Sequence, residues 1–494
     1  MKKRKIKDKE VIDNLKDTVI NQDYELGFRV NTKPEINLGK GLNKEIIKKI
    51  SESKNEPEWM LELRLKAFEK FLELTNPKWG PDLNFIDFQD FKYYIKSSKL
   101  TNSWDEVPLE IKTVFEKIGI PEAERSYLAG VTTQFESEAV YLKIKKELEA
   151  KGVIYLDTDT GLRLYPEIFK EYFGKIIKYD DNKYAALNTA VWSGGSFIYV
   201  PKNVEIKEPL QSYFRMNESG FGQFERTLII CEGYSYLNYV EGCTAPLYSK
   251  DSLHAAVVEI FVKPNAKCRY TTIQNWSKNI LNLVTQRAHV ESFGEMEWID
   301  GNMGSRINMK YPSTILAGPY AKGKALSIAI ASEGQDQDTG AKMIHLAPNT
   351  SSTIVSKSVA KNGGIVDYRG KVYFSKKAHS AFSHIECDTI LMDEVSKSDT
   401  TPINIVNNSD SFLEHEAKVS KISEEQLFYL MSRGIDEKKA TELIIMGFID
   451  PFSKELPMEY GVELNKLIKL EMKGSIGWCI NILKMLKIHF MYIN

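Results

Sequence analysis

The sequence predicts a mainly β protein with α-helical regions at both ends. Short runs of β-branched and aromatic residues recur between about Ala190 and Val406, and turns rich in Gly, Asn, Pro and Asp separate them. No helical pattern longer than two or three turns interrupts these runs, which argues against βαβ units. Helical periodicity dominates before this region and returns after Ile422. The remaining candidate folds are a β-sandwich and a β-solenoid. The many short strands favour the β-solenoid, in which each coil buries its face only against its neighbours.

The chain divides into four predicted regions. They are an α-rich N-terminal region at residues 1–185, a β core at residues 186–418, a helical region at residues 419–477 and an atypical apolar tail at residues 478–494. A length of 494 residues is long for one compact core, so two or three folding units are expected. The N-terminal region is interpreted as an interaction surface.

Individual helices are predicted from apolar periodicity and from capping residues. In the N-terminal region, one helix is expected over Trp59–Leu72 and a second over about Ser137–Lys151, with Gly152 as its C-terminal cap. A strand is expected next, at Val153–Leu156. Ser423 forms a capping box at the start of the C-terminal helices. Those helices are predicted at Ser423–Gly434, Glu437–Met446 and Met458–Lys473.

Composition and charge exclude several classes of protein. The formal net charge is −1, from 66 basic and 67 acidic residues, so no global field draws the chain to nucleic acid or to an anionic membrane. No apolar stretch follows the basic residues after Met1, which argues against a secretory signal, and the apolar tail is too short for a membrane span. Five cysteines without a Cys-x-x-Cys pair indicate a reducing compartment. We expect a cytoplasmic protein, or a stromal one if the gene is plastid-encoded.

One C-terminal cluster contains ligand types that bind iron. Cys387 lies in the run Ser383–Asp388, and Glu414, His415 and Glu416 follow in a second strand-like run. A thiolate, an imidazole and carboxylates form a mixed donor set that holds iron less completely than four cysteines would. Such a donor set suits a site where an iron–sulfur cluster is assembled and then transferred to another protein. Core packing of the cysteine and ordinary surface charge at the acidic triplet are the alternatives.

Several motifs resemble the SufB/SufD family of iron–sulfur cluster assembly proteins, and more closely its SufB branch. They occur in the family's order from about Tyr24 to Gly477. The resemblance implies a right-handed parallel β-helix in the core, which agrees with the stacked coils inferred from the strand pattern. The matching blocks are Asn55–Leu61, Ser193–Pro201, Glu241–Pro246, Cys387, Leu413–Ala417 and Lys421–Tyr429.

The resemblance implies a sulfur-acceptor role for Cys243. This cysteine stands in the run Gly242–Pro246 and would take a persulfide sulfur from a cysteine desulfurase system. A thiolate is needed for that exchange, so a nearby cation or hydrogen-bond donor is expected to lower the pKa of Cys243. Arg215 and Asn217 match family residues that line the route from this cysteine to the assembly site.

The resemblance also implies ligands for the nascent cluster. Cys387 would be the sulfur ligand and Glu416 a carboxylate ligand, with His415 and Glu414 beside them. The chain departs from the family at Ser396–Thr400, where a Cys-Gly-Ala-His-Thr sequence is common. That thiol and imidazole are therefore absent here. Either Cys387, His415 and Glu416 become more important as ligands, or part of the site lies on a partner subunit.

The function that the resemblance implies is a non-catalytic scaffold for a transient, nascent iron–sulfur cluster. The implied partners are the ATPase SufC, bound by the C-terminal helices, SufD or a second SufB chain, and the desulfurase SufS with SufE or SufU. Reduced flavin is associated with the family, but the sequence contains no fingerprint for it. The Gly318–Ala325 run is not a phosphate loop, because it lacks the hydroxyl that would contact Mg²⁺ and a following helix, so ATP would be hydrolysed elsewhere.

Two alternative functions compete with the scaffold role. The first is the role of the paralogue SufD, which supplies structure and one ligand without accepting sulfur, and Cys243 together with the Glu414–Glu416 triplet argues against it. The second is a β-helix carbohydrate enzyme with paired carboxylates. Such an enzyme is normally secreted and needs two acids across one groove, and the sequence suggests neither feature.

Overall fold

The computed structural model describes residues 30, 32–118, 120, 128–246, 250–456 and 468. None of the helices in these ranges is long and apolar enough to cross a membrane. The helices and strands are, in chain order, β1 (Ile36–Asn37), α1 (Lys44–Lys54), α2 (Glu58–Glu73), β2 (Ile95–Lys96), α3 (Leu109–Ile118), β3 (Gly130–Phe135), β4 (Glu138–Ile144), α4 (Lys146–Ala150), β5 (Ile154–Asp157), α5 (Thr158–Leu164), α6 (Pro166–Tyr172), α7 (Lys183–Val191), β6 (Ser196–Val200), β7 (Glu205–Arg215), β8 (Gly222–Gln223), β9 (Arg226–Cys231), β10 (Tyr236–Thr244), β11 (Ser252–His254), β12 (Val257–Val262), β13 (Lys267–Asn275), β14 (Ile280–Val290), β15 (Glu295–Met303), β16 (Ile307–Lys310), β17 (Ser313–Leu316), β18 (Lys322–Ala331), β19 (Asp336–His345), β20 (Ser351–Ala360), β21 (Ile365–Phe374), β22 (Phe382–Leu391), β23 (Lys397–Val406), β24 (Phe412–Lys421), α8 (Glu424–Ser432) and α9 (Glu437–Glu455).

Successive core strands alternate between two mostly parallel sheets, so the chain winds as a β-solenoid of about eight turns. The first sheet has the order β24-β22-β20-β18-β15-β13-β10-β7-β3-β4, and the second has the order β23-β21-β19-β16-β14-β12-β9-β6-β5. Residues that contact each other on neighbouring turns are commonly 28 to 31 residues apart, as for Arg269 with Glu297 and Lys357 with Asp388. The predicted parallel β-helix with helical ends is confirmed.

The interior of the solenoid is filled by every second residue of each strand. In β21, for example, Val366, Tyr368, Val372 and Phe374 are buried, while the residues between them are partly exposed. This alternation follows from the period of two in a β-strand, which sends neighbouring side chains to opposite faces of the sheet. Each side chain of the core therefore belongs either to the inner face or to the outer face of its sheet.

The N-terminal region contains both confirmed and incorrect predictions. The helix predicted over Trp59–Leu72 lies within α2, and the strand predicted at Val153–Leu156 corresponds to β5. The helix predicted over Ser137–Lys151 is wrong, because the segment forms β4 and only then the short α4. Strand β4 pairs antiparallel with the fully buried β3, whose edge is open, so tertiary pairing overrides local helix propensity.

The C-terminal helices begin as predicted and then differ in length. The Ser423 side chain accepts a hydrogen bond from the backbone N–H of Gln426 at the start of α8. Helix α9 extends nine residues beyond the predicted end, to Glu455, and contains Pro451. Its buried residues Ile445, Ile449 and Phe452 pack on the outer face of the first sheet. The helix predicted at Met458–Lys473, apart from residue 468, and the tail at residues 478–494 lie outside the described residues.

The two ends of the solenoid differ. At one end, β4 and β5 pair antiparallel with the sheets and close the first turns. At the other end, β23 and β24 are the last strands, and no described strand pairs with their outer edges. Several apolar side chains of this last turn are exposed, namely Ile403, Ile405, Val406, Phe412 and Val419. Unpaired strand edges of this length can pair with another chain.

A buried ion pair fastens the N-terminal region to the second sheet. Arg226 Nη2 and Glu259 Oε2 are 2.5 Å apart, and both side chains are buried. The Glu259 carboxylate also accepts hydrogen bonds from the backbone N–H groups of Gly174, Ile176 and Ile177, at 2.9 to 3.0 Å. The negative charge of Glu259 is thereby balanced by Arg226 and stabilised by three backbone N–H groups of the N-terminal region.

Replacing Glu259 with leucine should lower the free energy of unfolding by about 3–5 kcal/mol, because it leaves a buried guanidinium without its counter-ion. Urea unfolding followed by circular dichroism measures the change. The matched control is Glu291→Leu, which breaks the partly exposed pair with Lys263 and should cost less than about 1 kcal/mol. Equal losses in the two variants would contradict this interpretation.

Candidate functional site

Cys243 lies near the end of β10, on the inner face of the first sheet. Leu237 and Tyr239 of the same strand belong to the inner core, and the alternation of the strand places Glu241 and Cys243 on the same face. The thiol has no exposed surface. It is covered by a cluster of buried residues: Ile95, Phe214, Met216, Phe221, Ala245, Trp276 and Ile280.

The surroundings of Cys243 favour the neutral thiol in this conformation. Burial raises the pKa of Cys243 well above its usual value, and the carboxyl groups of Glu241 and Glu225 raise it further. The Lys310 ammonium lowers the pKa of Cys243, but burial and the two carboxyl groups outweigh it, so the expected net lowering of this pKa is wrong in this conformation. The Sγ atom lies 3.8 Å from Glu241 Oε1, close enough for the thiol to donate a hydrogen bond.

Glu241 is itself poised to titrate near neutral pH. Burial raises its pKa to about 7, and the Tyr270 hydroxyl, which donates a 2.6 Å hydrogen bond to Oε2, opposes the rise. A carboxyl group with this pKa, next to a thiol, has the properties of a proton acceptor. Apart from its place in the Glu241–Pro246 block, no signal in the sequence marks Glu241 as a functional residue.

A row of buried polar residues runs along the inner face from Glu241 to Cys387. Each is the direct register partner of the next, one strand further along the first sheet. Five steps between strands span about 24 Å at ~4.8 Å per step. We call this row the inner polar ladder; its members are Glu241, Thr272, Asp300, Ser327, Ser356 and Cys387.

Side-chain hydrogen bonds join two neighbouring pairs of the inner polar ladder. The Thr272 hydroxyl donates to Asp300, and the Ser327 hydroxyl donates to Ser356 at 3.0 Å. The buried Lys310 ammonium donates to Asp300 at 2.8 Å and balances its charge. The ladder is thus a row of buried polar side chains on the inner face of the first sheet.

The second sheet contributes a parallel row of polar side chains. His254 bridges Glu225, at 2.7 Å from Nε2, and Asn282 through Nδ1. Burial lowers the pKa of His254, but the charge and hydrogen bond of Glu225 outweigh this effect and leave the pKa raised. Asn282 also donates to Gln274 of the first sheet at 2.9 Å, so the two rows meet inside the solenoid. The register partners of this row are Gln223, His254, Asn282, Asn308 and Gln337.

Arg215 and Asn217 are buried beside the end of β10, on the other face. Arg215 is the register partner of Thr244, and its Nη1 donates to Thr244 Oγ1 at 2.8 Å. By alternation, these two side chains lie on the opposite face of the sheet from Cys243. Asn217 exchanges two hydrogen bonds with the backbone of Val30, at 2.9 and 3.0 Å. Their proposed place on the sulfur route stays a prediction.

Cys387 and His415 meet on the inner face of the last two turns. The Cys387 Sγ and His415 Nε2 atoms are 4.0 Å apart, and His415 Nδ1 lies 3.4 Å from the side-chain amide of Asn404. Burial raises the pKa of Cys387 to about 12, while the nearby Tyr368 hydroxyl opposes the rise. Burial also lowers the pKa of His415, which favours the neutral imidazole that binds metals.

Glu414 and Glu416 lie on the outer face of β24. Both side chains are exposed, and Glu416 is the register partner of Glu386, whereas His415 is the partner of the inward Ile385. The structure therefore brings Cys387 and His415 together but separates them from the two carboxylates. Within the described ranges, no group of three or more His, Cys, Asp or Glu residues has the arrangement of a complete metal site.

Ser396 occupies a turn rather than a ligand position. Its hydroxyl donates to Asp393 Oδ2 at 3.0 Å and accepts from the backbone N–H of Gly363 at 3.1 Å. The residue where the family commonly has a thiol thus helps to form the connection before β23.

Two family models match this chain. The model described as the SufBD core domain of the SUF system for FeS cluster assembly matches residues 214–448, and the model described as the SufBD protein N-terminal region matches residues 43–212. An iron–sulfur cluster assembly SufBD family protein of Staphylococcus epidermidis is 61% identical over 456 residues, which cover 92% of this chain and 98% of the relative. The iron–sulfur cluster assembly protein SufB of Bacillus subtilis is 59% identical with the same coverage. This chain therefore belongs to the SufBD family of iron–sulfur cluster assembly proteins.

Proposed function

We propose that this chain is the sulfur-accepting scaffold of an iron–sulfur cluster assembly complex, with Cys243 as the point of entry and Cys387 at the assembly site. The inner polar ladder is the observation that carries the proposal, because it joins the neighbourhood of one cysteine to the other through the core. The similarity to a protein named SufB supports the sulfur-accepting role over that of SufD. The proposed location is the cytoplasm, with the plastid stroma as the alternative.

Sulfur acceptance at Cys243 is a transfer between persulfides without net oxidation. The Cys243 sulfur attacks the terminal sulfur of a donor persulfide, so that a new S–S bond forms as the donor S–S bond breaks. Glu241 takes the thiol proton, and the donor leaves as a thiolate. Since Cys243 has no exposed surface in this conformation, the apolar cover above it must open for the donor to reach it. Movement driven by an ATPase partner is the proposed cause of that opening.

The role of Glu241 predicts a pH dependence. Because its pKa is raised to about 7, the carboxyl group can accept the thiol proton only as the pH rises through this value. Glu241→Gln should slow formation of the Cys243 persulfide by about 10²-fold and remove this dependence. Tyr270→Phe, which removes the hydrogen bond that holds the pKa down, should shift the profile to higher pH. Quenched time courses analysed by mass spectrometry measure the rates, and an unchanged rate in Glu241→Gln would contradict the assignment.

The assembly site is proposed to combine ligands from two chains. Cys387 and His415 supply a thiolate and a neutral imidazole on the inner face, next to the open end of the solenoid. The nascent cluster is cargo at this site, and an incomplete ligand set would let it leave. Glu416 and Glu414 are proposed to join when a partner covers the last turn. Reduced flavin, the electron source implied by the resemblance, stays a prediction.

The open end is proposed to bind SufD or a second copy of this chain. The unpaired edges of β23 and β24 can continue both sheets into a partner, and the exposed Phe412 and Val419 would be buried there. Only the turn that contains β24 would then separate the partner from Cys387, so the partner could complete the ligand set.

Helices α8 and α9 are proposed to bind the ATPase SufC. They form an apolar groove of about 430 Å³, and Phe428 beside it is 74% exposed. Helix α9 is anchored to the first sheet by ion pairs from Glu455 to Arg269 and Lys324. Movement of the ATPase could therefore be transmitted to the core. The groove is lined by Glu425, Gln426, Tyr429, Leu430, Leu443 and Ile444.

Two matched substitutions separate the proposed interfaces. Phe412→Asp should disrupt binding of the SufD-type partner and leave SufC bound, whereas Phe428→Asp should do the reverse, because each places a charge in only one apolar contact. Anaerobic co-expression with SufC and SufD, followed by affinity purification and iron and sulfide analysis, measures both. Loss of both partners in either variant, or of neither in both, would contradict the two-interface arrangement.

The alternative is a SufD-like structural role without sulfur acceptance. The sulfur-loading measurement on Cys243 distinguishes the two roles, because a SufD-like chain would assemble with its partners yet carry no persulfide.

A further inference from the structure

A cavity of about 350 Å³ lies on the outer face of the second sheet, far in sequence from the cysteines of the proposed site. Its floor comes from β14, β16 and β19, and its walls come from the segment after α2 and the start of α7. A volume of this size is within the range of small-molecule sites. The apolar part of the lining consists of Leu74, Pro77, Trp79, Leu283, Val284 and Met309.

Lys342 gives the cavity a surplus positive charge. Arg287 also lines it, but its guanidinium is neutralised by Asp181, at 2.7 Å from Nη1, and also donates to the carbonyl of Ile176. Asp181 is thereby held by Arg287, and no described carboxylate forms an ion pair with Lys342. Burial lowers the pKa of Lys342 and the nearby Arg287 lowers it further, while the charge of Asp181 opposes part of the effect. A bound anion would relieve both effects.

Aromatic and amide groups complete the lining. Trp79 and Tyr311 pack edge to face at a ring-centroid distance of 5.4 Å, and the Lys342 ammonium lies 5.2 Å from the centre of the Tyr311 ring. The side-chain amide of Asn182 donates to Thr285 Oγ1 at 3.1 Å and joins the wall of the cavity to its floor.

We propose that this cavity binds a small organic anion with a planar aromatic body, a carboxylate or phosphate monoester of an aromatic ring or base. The anionic group contacts Lys342, and the ring lies against Trp79, Tyr311 and the apolar floor. The site is separate from the sulfur route, so this proposal and the scaffold proposal stand or fall independently.

The test is a ligand-observed NMR titration of the full chain with four probes. Indole-3-acetate and adenosine 5′-monophosphate carry both an aromatic ring and an anionic group, whereas indole carries only the ring and acetate only the charge. At least one complete probe should bind saturably, at least about tenfold more tightly than indole or acetate. Preference for indole-3-acetate would identify a carboxylate ligand, and preference for the nucleotide would identify a phosphate monoester. Failure of both complete probes to bind saturably would overturn the proposal.

Three variants locate the binding. Lys342→Met keeps most of the side-chain volume and should weaken binding of the preferred probe at least about tenfold. Thr75→Trp fills the exposed mouth of the cavity without changing its charge and should have the same effect. The matched control is Lys371→Met, because Lys371 is the register partner of Lys342 on the next turn but does not line the cavity. Binding that survives both Lys342→Met and Thr75→Trp, or that falls equally in Lys371→Met, would overturn the proposal, provided that circular dichroism confirms the folds.

Discussion

Cys243→Ser should abolish sulfur acceptance while leaving the chain folded. The substitution replaces the nucleophilic sulfur with an oxygen that cannot carry a persulfide, and it changes the side-chain volume little. The surrounding apolar cluster and the hydrogen-bonding position next to Glu241 are retained. Incubation with a sulfur-loaded donor, followed by mass spectrometry of the intact chain, measures the loss.

Cys268→Ser is the matched control for this measurement. Cys268 is also fully buried, on the inner face of β13, but it is part of the apolar core rather than of the inner polar ladder. Its removal should leave sulfur loading unchanged. A chain that still accepts sulfur without Cys243, or that loses acceptance without Cys268, would contradict the assignment of the entry point.

Cys387→Ser should eliminate the absorption of a reconstituted cluster. Among the described cysteines, Cys387 alone lies on the last two turns, and Ser396 removes the alternative that the family commonly has. His415→Ala should weaken the cluster strongly, because His415 faces the thiol at 4.0 Å. Glu416→Ala should have a smaller effect, since this carboxylate lies on the outer face and water can partly replace it. Anaerobic reconstitution with absorption and iron and sulfide analysis measures all three variants.

The control for the cluster measurement is again Cys268→Ser, which should assemble a normal cluster. A normal cluster in Cys387→Ser, together with its loss in Cys268→Ser, would place the assembly site elsewhere in the core.

The β-solenoid could be predicted from the sequence more directly than the secondary structure of the N-terminal region. The sequence shows short strands separated by turn residues, and only a few folds can bury the apolar faces of so many short strands. The segment Ser137–Lys151 was misread because its Glu, Lys, Leu and Ala residues favour helix locally. The open edge of β3 decides its structure, and this edge is created by residues far away in the chain.

The sequence suggested which residues belong to the candidate site, and the structure adds their arrangement. Cys387 and His415 lie together, as their motifs suggested, yet a strict period of two sends Glu414 and Glu416 to the outer face of β24. The inner polar ladder could not be predicted, because the spacing between turns varies. The steps from Glu241 to Thr272 and from Thr272 to Asp300 already differ in length, so no single period aligns the polar residues.

The central claim is that sulfur enters at Cys243 and reaches Cys387 through the core. Its most direct test is to load the chain within the purified complex with isotopically labelled sulfur, to add iron and a thiol reductant, and to quantify the labelled sulfide of the cluster. The reductant supplies the two electrons that release the outer sulfur of the Cys243 persulfide as sulfide. The account predicts a labelled cluster in the unchanged chain, a Cys243 persulfide without a cluster in Cys387→Ser, and neither in Cys243→Ser. A labelled cluster formed at the normal rate without the Cys243 thiol would contradict it.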